Sequence, residues 1–114
     1  MREVPVGEIT KVVRDLFIDA NINLGEDVLV AFHKALEAEE SPTGREILDE
    51  LLENAKIAKE EGMAICQDTG LAVVFIELGQ DVHLVGGDLT EAINEGVRQG
   101  YPVSYTHLTL PTKA

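Results

Sequence analysis

The chain has 114 residues and a formal net charge of −12, from nine Lys and Arg against 21 Asp and Glu. Nucleic acids and anionic membrane surfaces carry the same sign of charge, so this balance argues against both as main partners. No apolar run approaches the roughly 20 residues that are needed to span a bilayer. The single cysteine excludes an internal disulfide and is typical of a reducing compartment. Together these features predict one acidic, folded domain in the cytoplasm.

Three helices are predicted in the first half of the chain, from apolar residues at helical spacing. The first apolar stripe consists of Ile9, Val12, Val13, Leu16, Phe17 and Ala20. Gly25 interrupts that pattern, and Asp27 is predicted to cap a second helix. For the third helix, Thr43 and Glu46 have the spacing of a capping box, and Gly62 suits its end. The buried face predicted for this third helix consists of Ile47, Leu48, Leu51, Leu52, Ala55 and Ala58.

The second half of the chain changes character and predicts strands. Residues 71–78 form a β-branched apolar run of strand length, which is expected to be buried on both faces. A turn follows, and residues 82–85 predict a second short strand. Asp88 and Glu91 have capping-box spacing for a fourth helix, which Gly100 is predicted to end. Helices followed by a short, mostly buried sheet and a further helix indicate an α+β fold.

The loop that follows the third helix concentrates chemically active groups. Cys66, Gln67 and Asp68 place a thiol, an amide and a carboxylate on consecutive residues. Cysteine is a soft ligand suited to iron–sulfur clusters or zinc, and aspartate can move protons or hold a substrate hydroxyl. A purely structural explanation is also open, because a lone cysteine is often a small core residue and Asp-Thr-Gly is an ordinary turn sequence.

The Asp-Thr-Gly sequence at residues 68–70 also occurs in aspartic proteases, in which two such loops share one proton between their carboxylates. Those enzymes are nearly all β, whereas more than half of this chain has helical periodicity. Apolar residues usually precede the aspartate in those proteases, but Cys66 and Gln67 do so here. The helical pattern therefore disfavours a protease.

The three histidines of the chain do not indicate a metal site. His33, His83 and His107 show no metal-ligand spacing with one another or with Cys66. His33 is predicted to lie on the surface of a helix, and His83 to be partly buried with its imidazole satisfied. The glycine pair at residues 86–87 is better explained by a tight turn before a helix cap than by an anion site.

One group of motifs resembles a known family. Ile-Cys-Gln-Asp-Thr-Gly at residues 65–70 is followed by the apolar run, by Gly-Gln-Asp-Val-His at 79–83 and by Gly-Gly-Asp-Leu at 86–89. In this order the motifs resemble the N-terminal part of the α chain of class I fumarases and L-tartrate dehydratases. The resemblance covers Met1 to about Tyr101, and the Cys-Gln-Asp-Thr-Gly motif in this context is far more specific than Asp-Thr-Gly alone.

The resemblance implies an iron–sulfur hydro-lyase that interconverts fumarate and malate or dehydrates tartrate. In that family three cysteines hold a 4Fe–4S cluster, whose open iron acts as a Lewis acid on the substrate hydroxyl. By motif position, Cys66 would be the first cluster ligand, and Gln67 and Asp68 would face the dicarboxylate substrate. Asp68 would be the catalytic candidate that handles the proton of the departing hydroxyl. His83 matches a recurrent family residue whose role the sequence does not supply.

The chain departs from the family pattern in ways that indicate a truncated domain. A cubane cluster needs several thiolates, and the sequence supplies one. An arginine that clamps a substrate carboxylate in the family is absent after Tyr101. The implied partners are the remainder of the α domain and a β chain or C-terminal domain, in an oligomeric parent enzyme. The segment is therefore expected to be inactive alone.

Residues 102–114 match nothing in the family and shift abruptly from acidic to neutral composition. Val-Ser-Tyr-Thr-His-Leu-Thr-Leu-Pro-Thr at residues 103–112 resembles one reading frame of a transposase adapter used in DNA library preparation. We therefore predict that residues 102–114 form a disordered, adapter-derived tail. A natural edge strand is the alternative for this segment.

An alternative of another class is a small acidic helical module that binds a protein partner and performs no chemistry. The two hypotheses differ at Cys66. A cluster ligand should be accessible beside Gln67 and Asp68, whereas a structural thiol should be sealed among Ile65, Leu71 and Val73. A truncated enzyme domain should also expose apolar surface where its missing elements would pack.

Overall fold

The computed structural model describes residues 1–66 and 70–104 and contains six regular elements. In chain order they are β1 (Arg2–Pro5), α1 (Val6–Ile22), α2 (Glu26–Ala38), α3 (Pro42–Glu61), β2 (Val82–Val85) and α4 (Leu89–Ser104). The chain divides into two compact units: Met1–Ile18 with the described part of Asp68–Ala114, and Asp19–Gln67. Helices with a small sheet and a further helix confirm the predicted α+β class.

The sheet of the first unit consists of two parallel strands. β1 pairs with β2 in a register that sets Arg2 opposite Val82 and Pro5 opposite Val85. The Arg2 backbone N–H also donates to the carbonyl of Asp81 at 2.8 Å. β2 is the strand predicted at residues 82–85. β1 is a finding of the structure alone, because its four residues carry no strand pattern.

The core of the first unit lies where α1 packs on α4. Its buried apolar side chains are Val6, Val13 and Ala92. Gly96 and Gly100 of α4 are also buried. A Cβ atom at Gly96 would lie 2.7 Å from the Thr10 carbonyl oxygen, so the backbones approach more closely than any larger residue would permit.

The second unit is built on a pair of helices. α2 packs on α3, and the buried apolar side chains of this unit are Ala55 and Ala58. Ile47 and Leu51 of α3 remain 52% and 43% exposed. The apolar face predicted for the third helix is thus buried only in part, because one neighbouring helix covers a narrow stripe of it.

Two predicted helix caps are each wrong by two residues. α2 begins at Glu26 after Gly25, and Asp27 lies in its first turn, where a carboxylate favours the positive end of the helix dipole. α3 begins at Pro42, whose fixed φ and missing N–H suit a first helical position. The cap is therefore Ser41, whose hydroxyl accepts a hydrogen bond from the Gly44 N–H at 3.3 Å, and not Thr43.

The start of α4 confirms its predicted cap, but its end was predicted too early. The Asp88 carboxylate accepts a hydrogen bond from the Glu91 N–H at 3.0 Å. The helix continues beyond Gly100 to Ser104, and a Cβ at Gly100 would lie 2.7 Å from the Phe17 ring. This glycine provides close packing within the helix and does not end it.

The apolar run at residues 71–78 is not a buried strand, which corrects the prediction. It lies outside any regular element, and Leu71 and Phe75 are 87% and 94% exposed. A strand needs a neighbour with which its backbone can pair, and the described residues offer this run none. Of the tail predicted at residues 102–114, positions 105–114 lie outside the described residues. Residues 102–104 belong to the α4 backbone, which includes Pro102.

Candidate functional site

The turn that carries Cys66 begins at the end of α3. Gly62 adopts the left-handed conformation at φ 65°, which a glycine reaches without the strain of a side chain. The N–H groups of Gly62 and Met63 both donate to the Ala58 carbonyl, the latter at 3.0 Å. These bonds satisfy a carbonyl that the helix end would otherwise leave unpaired and confirm the predicted role of Gly62.

The residue immediately before Cys66 is held on both sides of its backbone. The Ile65 N–H donates to the carbonyl of Asn21 at 2.8 Å. The Ile65 carbonyl accepts a hydrogen bond from the Asn54 side-chain amide at 2.7 Å. The chain therefore enters the Cys66 position in a defined direction, even though residues 63–65 form no helix or strand.

Cys66 itself is exposed to solvent. Leu71 and Val73, two of the residues expected to seal a structural thiol, are themselves 87% and 66% exposed. An accessible thiol on a fixed turn is what a metal ligand requires, because a thiolate must be able to reach the metal. An exposed Cys66 is what the cluster-ligand hypothesis expects, and its role as a ligand stays a prediction.

The donor set fits an iron–sulfur cluster in chemistry but supplies only part of what a cluster needs. Thiolates are the usual ligands of such clusters, and Cys66 is the single cysteine of the sequence. Within residues 1–66 and 70–104, no three His, Cys, Asp or Glu side chains are grouped so as to hold a metal ion. Gln67 and Asp68, the other predicted site residues, lie outside the described residues.

The histidines take no part in a site among the described residues. His33 on α2 is exposed, as predicted. His83 is also exposed, although the sequence predicted a partly buried imidazole. It lies on β2 opposite Glu3. His107 lies outside the described residues.

The sequence did not predict two open grooves, because the residues that line each groove are distant along the chain. One in the first unit, of about 370 Å³, is lined by α1 and residues 74–77, with Val12, Leu16 and Phe75 among its apolar walls. Another in the second unit, of about 1130 Å³, is lined mostly by residues of α3, including the charged Glu53 and Lys56. Neither groove is lined by a residue predicted for the site.

Comparison with known proteins identifies the family of the chain. The family model described as "Fumarate hydratase (Fumerase)" matches residues 10–108, which include the whole Cys66 turn. The chain belongs to this fumarate hydratase family. The "Putative L(+)-tartrate dehydratase subunit alpha" of Methanocaldococcus jannaschii is 38% identical to it over 93 residues. That alignment covers 81% of the chain and 33% of the relative, so the chain spans about a third of the relative's length.

The family resemblance inferred from the motifs is thereby confirmed. Within residues 1–66 and 70–104, every helix is too short or too polar to cross a bilayer.

Proposed function

We propose that the chain is the N-terminal segment of a 4Fe–4S-dependent hydro-lyase that interconverts fumarate and malate or dehydrates tartrate. Family membership supplies the reaction class. The observation that carries the proposal to a residue is the exposed Cys66 on a turn whose preceding residue is hydrogen bonded at both its N–H and its carbonyl. An open-iron cluster, when bound, supplies a Lewis acid for the substrate hydroxyl.

Each residue of the motif has a distinct proposed task. Cys66 loses its thiol proton and acts as the first of three cluster ligands. Gln67 presents an amide that can both donate to and accept from the oxygens of a dicarboxylate. Asp68 contacts the substrate and gives a proton to the departing hydroxyl, which leaves as water, while the proton on the adjacent carbon passes to a base supplied by the rest of the enzyme. Hydration runs the same two proton transfers in reverse.

The chain alone is proposed to be inactive, because one thiolate cannot hold a four-iron cluster. The remaining ligands come from the rest of the α domain, and the rest of the pocket from a β chain or C-terminal domain. The Methanocaldococcus jannaschii relative is named as a "subunit alpha", which supports a division of the enzyme between α and β chains. Because cluster assembly needs a reduced thiol, we propose the reducing cytoplasm as the compartment.

Exposed apolar surface supports the need for further elements. Phe75 is 94% exposed and Val73 66% exposed, in a run that is apolar almost throughout. Contiguous apolar residues that are rimmed by polar ones usually mark an interaction surface. The same surface would serve the alternative, an acidic protein-interaction module, so only the chemistry at Cys66 separates the two hypotheses.

The test begins with the genomic locus, sequenced through the codon for Tyr101 and onward, which also tests the proposed adapter origin of residues 102–114. The continued chain is expressed anaerobically with any adjacent β-chain gene, and dehydration of malate and of tartrate is assayed. Asp68→Asn should abolish turnover of the preferred substrate while Asp81→Asn, an exposed change of the same kind, leaves it intact. Full activity of Asp68→Asn would contradict the catalytic assignment.

A further inference from the structure

The side chain of Asn54 makes a contact that α3 itself does not require. Asn54 lies in the interior of the helix, on an exposed position, where asparagine is a weaker helix former than alanine. Its amide nitrogen reaches beyond the helix end and donates to the Ile65 carbonyl at 2.7 Å, across eleven positions of sequence. The distance is at the short end of the normal range for N–H···O bonds.

Holding the Ile65 carbonyl also holds part of Cys66. The peptide bond between these two residues is planar, so the Ile65 oxygen, the Cys66 nitrogen and the Cys66 Cα share one plane. A hydrogen bond to that oxygen therefore limits the rotation of the plane. The Ile65 N–H is held separately by the Asn21 carbonyl at 2.8 Å, near the end of α1. Once the N–H and the carbonyl of Ile65 are both hydrogen bonded, the position of the Cys66 thiol depends on the backbone and side-chain dihedrals of Cys66 itself.

We infer that Asn54 is a positioning residue, which fixes the backbone plane from which Cys66 presents its thiol to the iron–sulfur cluster. The inference rests on the proposed function, because that function supplies the cluster to which Cys66 would bind. Residues that orient metal ligands through hydrogen bonds typically change metal affinity by about 10- to 100-fold when they are removed. The required chemistry is a side-chain N–H donor of this length, which Asn has and which Asp, of the same shape, lacks when ionised.

The first experiment uses the 114-residue chain and needs no cluster. Backbone order at Cys66 is measured by ¹⁵N relaxation in the unaltered chain and in Asn54→Ala, Asn54→Asp and Asn54→Gln. The order parameter of the Cys66 amide is expected to fall from about 0.85 to below about 0.6 in the Ala and Asp variants.

The variants separate the amide donor from general effects on the helix. Asn54→Ala strengthens helix propensity, so increased motion at Cys66 would not arise from a weakened α3. Asn54→Gln keeps the donor and should retain most of the order. Asn94→Ala makes the same change at an exposed position of α4 and should leave Cys66 unchanged. Unchanged order in Asn54→Ala, or an equal loss in Asn54→Gln, would overturn the inference.

The second experiment uses the longer protein, assembled anaerobically, and measures iron retained against a chelator. Asn54→Ala should lose iron at a chelator concentration about 10-fold lower than the unaltered protein. Equal retention would overturn the link between Asn54 and the cluster. The proposed function fails by a different result, namely full iron retention in Cys66→Ser, which leaves the Asn54 effect on backbone order intact.

Discussion

Thr10 on α1 donates a hydrogen bond from its hydroxyl to the carbonyl of Ala92 on α4, at 2.8 Å, although 82 positions separate the two residues. Gly96, four residues after Ala92 on α4, also packs closely on the Thr10 backbone. A polar contact and a glycine therefore fix the same crossing in the first unit. Its energetics can be tested independently of any cluster.

Replacement of Gly96 by alanine should destabilise the fold. The added Cβ would lie 2.7 Å from the Thr10 carbonyl oxygen and 2.8 Å from the Val13 Cβ, so the helices must separate. Overpacking of this kind typically costs about 1–3 kcal/mol, which thermal or urea unfolding can measure. Gly7→Ala is the matched control, because a Cβ there meets nothing within 4 Å. Equal stability of Gly96→Ala and Gly7→Ala would refute the close crossing.

Removal of the Thr10 hydroxyl should have a smaller effect. Thr10→Val keeps the side-chain shape and deletes the donor to Ala92, which should lower the free energy of unfolding by about 1 kcal/mol. Thr90→Val makes the same chemical change at an exposed position of α4. If denaturant unfolding finds the two valine variants equally stable, the hydrogen bond contributes nothing.

The start of α3 permits a direct comparison of two neighbouring hydroxyls. Ser41→Ala removes the side chain that accepts the Gly44 N–H, and should cost about 0.5–2 kcal/mol. Thr43→Ala should be neutral or stabilising, because Thr43 lies inside the helix, where alanine is preferred. Urea unfolding of both variants tests the order. A larger loss in Thr43→Ala would restore the cap that the sequence pattern suggested.

One carboxylate of α4 makes the fold sensitive to acid. Hydrogen bonds from Gln99 and from Arg98 hold the pKa of Glu95 below its ordinary value of 4.5. A lowered pKa means that the folded state binds the proton more weakly than the unfolded chain. The ionised carboxylate therefore stabilises the fold above about pH 4.5, and this contribution is lost as the pH falls through the lowered value.

NMR titration of the Glu95 carboxyl measures this effect at its source. Gln99→Ala should raise the pKa of Glu95, and Arg98→Ala should raise it as well, since each variant removes a donor to the charged form. Gln80→Ala, which removes an amide from the turn before β2, serves as the control. An unshifted Glu95 in both α4 variants would show that the hydrogen bonds do not persist in solution.

Local patterns predicted most of the helices, because apolar spacing and capping chemistry are properties of a few consecutive residues. The fourth helix began at its Asp88 cap, and Gly62 took the left-handed position expected of it. Misplaced starts at Asp27 and Thr43 arose where more than one residue could cap. In α3, Pro42 takes the first helical position, so the cap is Ser41 and not Thr43.

Non-local pairing explains what the sequence could not predict. β1 exists because Arg2–Pro5 meets Val82–Val85 across about 80 positions of chain, and nothing in either segment encodes the other. The apolar run at 71–78 shows the reverse, since its strand pattern presumes a neighbour that the described residues do not provide. At the candidate site, the motif identified Cys66, but Asn54 was found only through the hydrogen bond that the fold creates.

The measurement that tests the central claim most directly is the iron and acid-labile sulfide content of the anaerobically assembled longer protein, with and without Cys66→Ser. Met63→Ser is the matched control, since it removes a sulfur from an exposed side chain of the same turn. We predict that Cys66→Ser loses the intact four-iron cluster, whereas Met63→Ser retains iron and sulfide at the level of the unaltered protein. Full cluster content in Cys66→Ser would contradict the assignment of Cys66 as a ligand.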